Sequence, residues 1–308
     1  MDSPALLDKH EIARAFGRAA QHYDAHAVLQ REVTSRLAER LGLFKLSPAR
    51  ILDAGCGTGH GLSLLKAAYP DAELIALDLA LPMLEIARKN NEGNDGPANW
   101  LGRLRQRLTP RASHLTQHVC ADMERLPFKT SSLPMLWSSL ALQWANDTES
   151  CLREWHRVIA PNGLLVFATF GPDTLKELRQ AFAQVDGGAH VSRFTDMHDI
   201  GDMLVHAGFQ HPVMEMEMLT LTYGDLKSLM QDLKGVGAHN AATSRSRSMM
   251  GKSAWHKLEA AYEGFRKDGR LPSSYEVIYG HAWAGDKNIL VDGRQVIQWK
   301  IQHRRAGS

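Results

Sequence analysis

Apolar positions recur at helical spacing over ~8–42, where Ile12, Phe16, Val33, Leu37 and Leu41 mark one face and no strand signal intervenes. Beyond that segment the pattern alternates. Apolar runs at ~49–55, ~72–78, ~115–121, ~133–140 and ~163–170 predict strands, and helical spacing at ~60–69, ~81–90 and ~148–159 predicts the helices among them. Pro82 falls early in one of these helices, where a missing amide costs little. Alternating strands and helices predict an α/β fold with a parallel sheet covered on both faces. A ligand then belongs at the carboxyl ends of the strands.

The second half continues with helices at ~173–184 and ~196–207, the latter stopped by Gly208 as a C-cap. Met214 to Thr222 alternates as an exposed-edge strand does, two helical stretches follow at ~224–235 and ~253–267, and a last strand is predicted at ~274–283. Residues ~91–114 read as an irregular insert carrying Arg103, Arg105, Arg107 and Arg111. No internal repeat is evident. One domain is expected, with an N-terminal helical cover (~1–45), a core (~46–170), a substrate-side half (~171–284) and a polar tail (~285–308).

The most informative stretch is Arg50-Ile-Leu-Asp-Ala-Gly-Cys-Gly-Thr-Gly-His60, an apolar strand running into a glycine-rich turn. Gly55, Gly57 and Gly59 allow a tight turn and close approach of a ligand to the backbone. The dinucleotide fingerprint G-x-G-x-x-G fits poorly, since the third glycine here comes two residues after the second and Asp53 precedes all three. A second strand, Glu73 to Asp78, also ends in an acid. Asp78 can accept hydrogen bonds from a ribose diol or cap the helix that follows. A third such place is Cys120-Ala-Asp122-Met123.

Composition narrows the classes. The 308 residues are 44% hydrophobic, enough for a sizeable core, and the net charge of +2 gives no global field for nucleic acid. Three cysteines, Cys56, Cys120 and Cys151, have no metal-ligand spacing and read as small apolar fillers in a reducing compartment. No H-E-x-x-H or His/Cys cluster argues for a metal. The opening Met1-Asp-Ser-Pro lacks a basic and an apolar region, so no secretory signal is expected. With no long apolar run, the cytoplasm is the expectation, without a membrane partner.

The D-x-G-x-G-x-G turn resembles that of class I S-adenosylmethionine-dependent methyltransferases. The resemblance implies a Rossmann-like, seven-stranded, mostly parallel sheet closed by an antiparallel C-terminal hairpin. It also implies cofactor contacts at Asp53, Gly55, Gly57, Gly59, Asp78, Leu79, Asp122 and Met123, with S-adenosylhomocysteine as product. The two hairpin strands are separated by helical sequence at ~224–270, which is positioned to form a lid over the pocket.

Further motifs narrow the resemblance. Ala13-Arg-Ala-Phe-Gly-Arg-Ala-Ala-Gln-His-Tyr23-Asp-Ala-His, Leu140-Ala-Leu-Gln-Trp144, Val191-Ser-Arg-Phe194, Leu233-Lys-Gly-Val-Gly-Ala-His-Asn240 and Tyr275-Glu-Val-Ile-Tyr279 together resemble the malonyl-acyl-carrier-protein O-methyltransferases of biotin synthesis. The implied reaction methylates the free carboxylate of a malonyl thioester, borne by acyl carrier protein or coenzyme A. Such a carboxylate is already ionised at neutral pH, so positioning and exclusion of water matter more than a base. Arg193 is the candidate for holding the carboxylate, by bidentate hydrogen bonds, and otherwise a surface arginine at a helix end. Tyr23 is the candidate for a phenol near the reacting atoms, and otherwise a half-buried packing residue. Gln143 and Trp144 follow a strand end, where they can wall the pocket.

An acidic carrier protein would meet Lys234, Arg245, Arg247, Lys252 and Lys257, unless these form a merely solvated face. A monomer is expected. Two other readings stand beside this one: a class I methyltransferase with a small-molecule or protein-arginine acceptor, and a cofactor-binding scaffold without catalysis. Fold alone does not decide among them.

Overall fold

In the computed structural model, residues 6–92, 116–186, 190–237 and 251–285 are described. Seven strands form one sheet: β1 (Arg50–Ala54), β2 (Glu73–Asp78), β3 (Gln117–Cys120), β4 (Leu133–Ser139), β5 (Ile159–Phe170), β6 (Phe209–Tyr223) and β7 (Leu271–Ala284). Their spatial order is β3-β2-β1-β4-β5-β7-β6. The first five pair in parallel, and β7 runs antiparallel to both β5 and β6. The order reverses at β1, between β2 and β4, so a crevice opens there beyond the carboxyl ends of the strands.

The parallel strands β1, β2 and β4 are short apolar runs because helices cover both faces. Ile51, Leu52 and Ala54 of β1 and Leu74 to Leu77 of β2 are all buried. The edge strand β6 alternates buried or half-buried with exposed residues for most of its length, as one covered face requires. It begins at Phe209, earlier than its alternation suggests, because Gly208 (φ 97) ends the preceding helix and redirects the chain.

The helices between strands are α4 (His60–Ala68), α5 (Leu81–Glu92) and α6 (Thr148–Val158). Ahead of β1 lie α1 (Lys9–Ala19), α2 (Tyr23–His26) and α3 (Val28–Glu39). After β5 come α7 (Lys176–Ala183) and α8 (Met197–His206), then, between β6 and β7, α9 (Leu226–Gly235) and α10 (Lys252–Glu263). Aspartates cap α1, α6, α8 and α9: Asp8, Asp147, Asp196 and Asp225 each accept backbone amides of the first turn.

The inserted helices α9 and α10 share an apolar cluster with α7, built on Leu178, Phe182, Leu226, Leu229, Leu258 and Tyr262. That cluster holds the insertion beside the crevice. The N-terminal helices close the crevice from the other side, with Phe16 and Tyr23 packed on Ala80 and Met83. Arg103, Arg105, Arg107, Arg111, Arg245, Arg247 and the tail from residue 286 lie outside the described residues.

Candidate active site

β1 ends in a turn whose first two amides, Gly55 N–H and Cys56 N–H, both donate to Leu77 O of β2, at 2.8 and 2.9 Å. Gly55, Gly57 and Gly59 have φ of 83, 54 and 88°, a region where a Cβ is strained. A Cβ on Gly55 would stand 2.3 Å from Ala141 Cβ, while one on Gly57 would meet nothing within 4 Å. The turn is therefore tight at its first glycine and open toward the crevice at its second. Gly59 faces elsewhere. It abuts Ala87 and Asn91 of α5 and seats the start of α4, outside the cavity that its two neighbours line.

Asp78 ties the two strand ends together. Its Oδ2 accepts Gly57 N–H at 2.9 Å and its Oδ1 accepts Ala80 N–H at 2.8 Å, the latter just ahead of α5. It thus organises the glycine turn and the helix entry at once, and a carboxylate has lone pairs left for a diol. Burial raises its pKa against the pull of these amides. Asp53 lies beside it, 2% exposed, and burial followed by the Asp78 charge pushes its pKa up to about 8. In register with Asp53 on β4 stands Trp137, whose buried indole N–H has no partner. A cationic group arriving here would relieve the buried carboxylate.

Asp122 follows β3. Its Oδ1 accepts Glu124 N–H at 3.0 Å and lies 3.3 Å from Lys9 Nζ. Met123 is buried and its carbonyl accepts the Trp155 indole N–H at 3.2 Å. Asp53, Gly55, Gly57, Asp78, Leu79, Asp122 and Met123 all line one cavity. These residues fit S-adenosylmethionine: two carboxylates suit the cationic amino acid and the ribose, an open glycine lets the backbone approach, and Asp122 suits an adenine amine.

The N-terminal helices roof this cavity. Lys9 pairs with Glu124 and donates to Trp144 O at 3.0 Å, Thr58 Oγ1 donates to Asp24 Oδ1 at 2.6 Å, and Phe16 meets Trp144 edge-on at 5.2 Å. Tyr23 lines the cavity from α2, and burial, with Asp78 and Asp24 nearby, pushes its phenol well above the usual range. Lys9 and Arg31 also line it, although the sequence patterns did not single them out.

A second, roomier cavity adjoins the first under α9. Its walls are largely apolar, among them Leu29, Phe170, Leu178, Phe194, Met230 and Tyr275. Gln30 and Trp144 line both cavities and so mark the junction. Gln143 faces the second cavity with its amide fixed, donating to Leu140 O at 2.8 Å and accepting from Thr169 Oγ1 at 3.1 Å. Lys234 lies at its edge, exposed, and Lys252 is exposed at the start of α10.

Arg193 does not line either cavity. Its neighbours Ser192 and Phe194 line the second one, Phe194 anchored against Phe170 at 5.7 Å, and the inward turn of that ring leaves the arginine exposed to solvent. Among the described residues no group of three or more histidines, cysteines or acids is placed to hold a metal ion, and no helix is long and apolar enough to cross a membrane.

Residues 52–167 match the methyltransferase domain family. Among solved structures, a Bacillus halodurans protein described as a candidate methyltransferase superposes with a TM-score of 0.55 at 19% identity, covering 82% of this chain and 99% of that one. The YcgJ protein of Bacillus subtilis gives 0.52 at 15% identity, covering 81% and 98%. At such identities the likeness concerns the fold, the class I methyltransferase arrangement. Sequence relatives are far nearer. A malonyl-[acyl-carrier protein] O-methyltransferase of Laribacter hongkongensis is 54% identical over 97% of this chain and 98% of its own length. Its namesake in Gallionella capsiferriformans is 51% identical over 95% and 97%. With the glycine turn, the strand-end acids and the second cavity in place, this chain belongs to the malonyl-[acyl-carrier protein] O-methyltransferase family.

Proposed function

We propose that this chain methylates the free carboxylate of a malonyl group carried as a thioester on acyl carrier protein. The observation that carries this reading is the pair of cavities that share Gln30 and Trp144 as a common wall. One has the residues for the methyl donor, and the other is an apolar chamber open to an acyl chain.

S-adenosylmethionine, when bound, supplies an electrophilic methyl group. Asp53 would hold the cationic amino group, Asp78 and Leu79 the ribose, and Asp122 with the Met123 amide the adenine, all from the lining of one cavity. The open side of Gly57 admits the cofactor's amino-acid end. Phe16 and Trp144 close the junction against water, which strengthens the electrostatics inside and favours a positioned, poorly hydrated nucleophile. Tyr23 remains protonated across the working pH range because burial and two nearby carboxylates resist its ionisation. It therefore acts as a hydrogen-bond donor on the cofactor side of the junction and not as a base, and an ionised carboxylate requires none.

Arg193, exposed at the rim of the second cavity, attracts an anionic acceptor from that position. Lys234 and Lys252, both exposed, do the same for an acidic carrier. The test is mass spectrometry of malonyl-acyl-carrier protein incubated with enzyme and S-adenosylmethionine. One added methyl on the acyl group is expected. Methylation of malonyl-coenzyme A in preference to the carrier-bound acyl group would reassign the carrier, and no methylation of either would overturn the reading.

A further inference from the structure

A carboxylate brought to the junction needs a hydrogen-bond donor there, and Arg193 does not reach it. The segment from α2 into α3 is the partition between the two cavities. Tyr23, Ala27 and Arg31 face the cofactor side, His26 and Leu29 face the acceptor side, and Gln30 faces both. His26 is one helical turn from Tyr23, so the two side chains lie on neighbouring parts of the same short helix.

The His26 ring sits in a built seat. Its Nδ1 lies 2.9 Å from Asp232 Oδ1 on α9. One turn further along, a Cβ on Gly235 would stand 2.3 Å from His26 Cγ and 2.4 Å from Cδ2. Gly235 does not have a positive φ, so this glycine is required for room and not for backbone freedom. α9 thus presents both a carboxylate to orient the ring and a gap to accept it. The remaining ring nitrogen, Nε2, is left for another partner. Among the described residues lining this cavity, His190 and Lys234 also carry cationic groups. His190 is held by Asp186 at 2.6 Å and stacked on Phe182, and Lys234 is exposed. Only His26 stands on the partition.

We propose that His26, oriented by Asp232, binds the carboxylate of the acceptor through Nε2–H. The inference rests on the function proposed above and names the residue that recognises its acceptor. A single donor suits the chemistry. A bidentate arginine engages both carboxylate oxygens, whereas one Nε2–H holds one oxygen and leaves the other free to attack. With Nδ1–H given to Asp232, a proton on Nε2 belongs to the imidazolium form of the ring, and Asp232 offsets the charge of that form in the largely apolar chamber.

The experiment is calorimetric binding of malonyl- and acetyl-acyl-carrier protein to enzyme saturated with S-adenosylhomocysteine. The two ligands differ in the carboxylate alone. The wild type should prefer malonyl by roughly tenfold or more, the scale of one charge-assisted hydrogen bond. His26→Ala should remove that preference, with acetyl binding and S-adenosylhomocysteine affinity unchanged. His26→Gln, which keeps a donor, should retain part of it, and guards against a misfolded alanine variant. Asp232→Asn should erode the preference while leaving acetyl binding intact. Equal weakening of both ligands by His26→Ala would reduce the residue to a piece of wall and overturn the proposal, as would an undiminished malonyl preference. A wild type that does not prefer malonyl would overturn the proposed function itself, and this inference with it.

Discussion

Lys9 Nζ, at the start of the N-terminal helix, lies 3.3 Å from Asp122 Oδ1 at the end of β3 and also pairs with Glu124. The contact joins residues 113 positions apart and fastens the roof of the cofactor cavity to its floor. Both side chains are only partly exposed, 21 and 28%, so the pair is more than a surface ion pair. Lys9→Ala should lower cofactor affinity about fivefold, an effect of about 1 kcal/mol. It should also speed amide exchange across α1, read by hydrogen–deuterium exchange mass spectrometry. Unchanged exchange would mean that Phe16 and Asp24 hold the roof without it.

The glycine turn separates two ways in which an alanine harms it. Gly55→Ala combines a positive φ with a 2.3 Å approach to Ala141 Cβ, and should abolish cofactor binding in calorimetry. Gly57→Ala has the positive φ but open space, so its backbone term is about 1–2 kcal/mol. The folded protein should survive Gly57→Ala with a small drop in Tm, and any larger loss of affinity would report the cofactor's own use of that space.

Asp53 predicts a pH signature with a definite sign. Its folded pKa is raised to about 8, so the folded state holds this proton more tightly than the unfolded chain does. Its contribution to stability therefore falls as pH rises between about 4 and about 8. Asp53→Asn should flatten that slope and raise the Tm of ligand-free protein at alkaline pH. The same change should weaken cofactor binding tenfold or more, because the cationic amino group loses its counter-charge. Binding near neutral pH should also release a proton, seen as a buffer-dependent heat. Uptake of a proton would contradict the assignment.

Tyr23→Phe isolates the phenol. Because its ionisation is pushed far upward, the wild-type rate should show no limb from this residue below pH ~10. The variant should lose roughly tenfold to a hundredfold in turnover, with S-adenosylhomocysteine affinity held within about threefold. A large change in affinity instead would make Tyr23 a packing residue of the cofactor cavity.

Basic residues on the acceptor side should act on encounter. Removing Lys234 and Lys252 together, or Arg193 alone, should slow association with carrier protein several-fold at low salt, an effect that fades as salt is raised. Stopped-flow association at two ionic strengths measures it. A salt-independent loss would place the residue in a desolvated contact.

Much of the fold was legible because strand and helix periods differ and the caps are marked. Gly208 ends α8 where the sequence places a C-cap, and the apolar runs at β1, β2 and β4 fall within a few residues of expectation. The residues that the resemblance of the glycine turn implied as cofactor contacts, Gly59 apart, line one cavity, at three consecutive strand ends. Gly59 shows the limit, since its turn position is local but its packing on Ala87 belongs to another helix.

The acceptor side was read less well from the chain. Arg193 looked suited by chemistry, yet the anchoring of Phe194 on Phe170 turns it outward. His26 was passed over because its partners, Asp232 and Gly235, are more than two hundred residues away and gain meaning only when α9 folds against α2. The sequence by itself determined the alternating strands and helices, the glycine turn and the strand-end acids, because these follow from backbone periodicity and local steric freedom. Tertiary structure alone decided the partition between the cavities, the fastening of the N-terminal roof and the side chain presented to the acceptor. Those depend on which distant helix faces meet, and no local pattern records that.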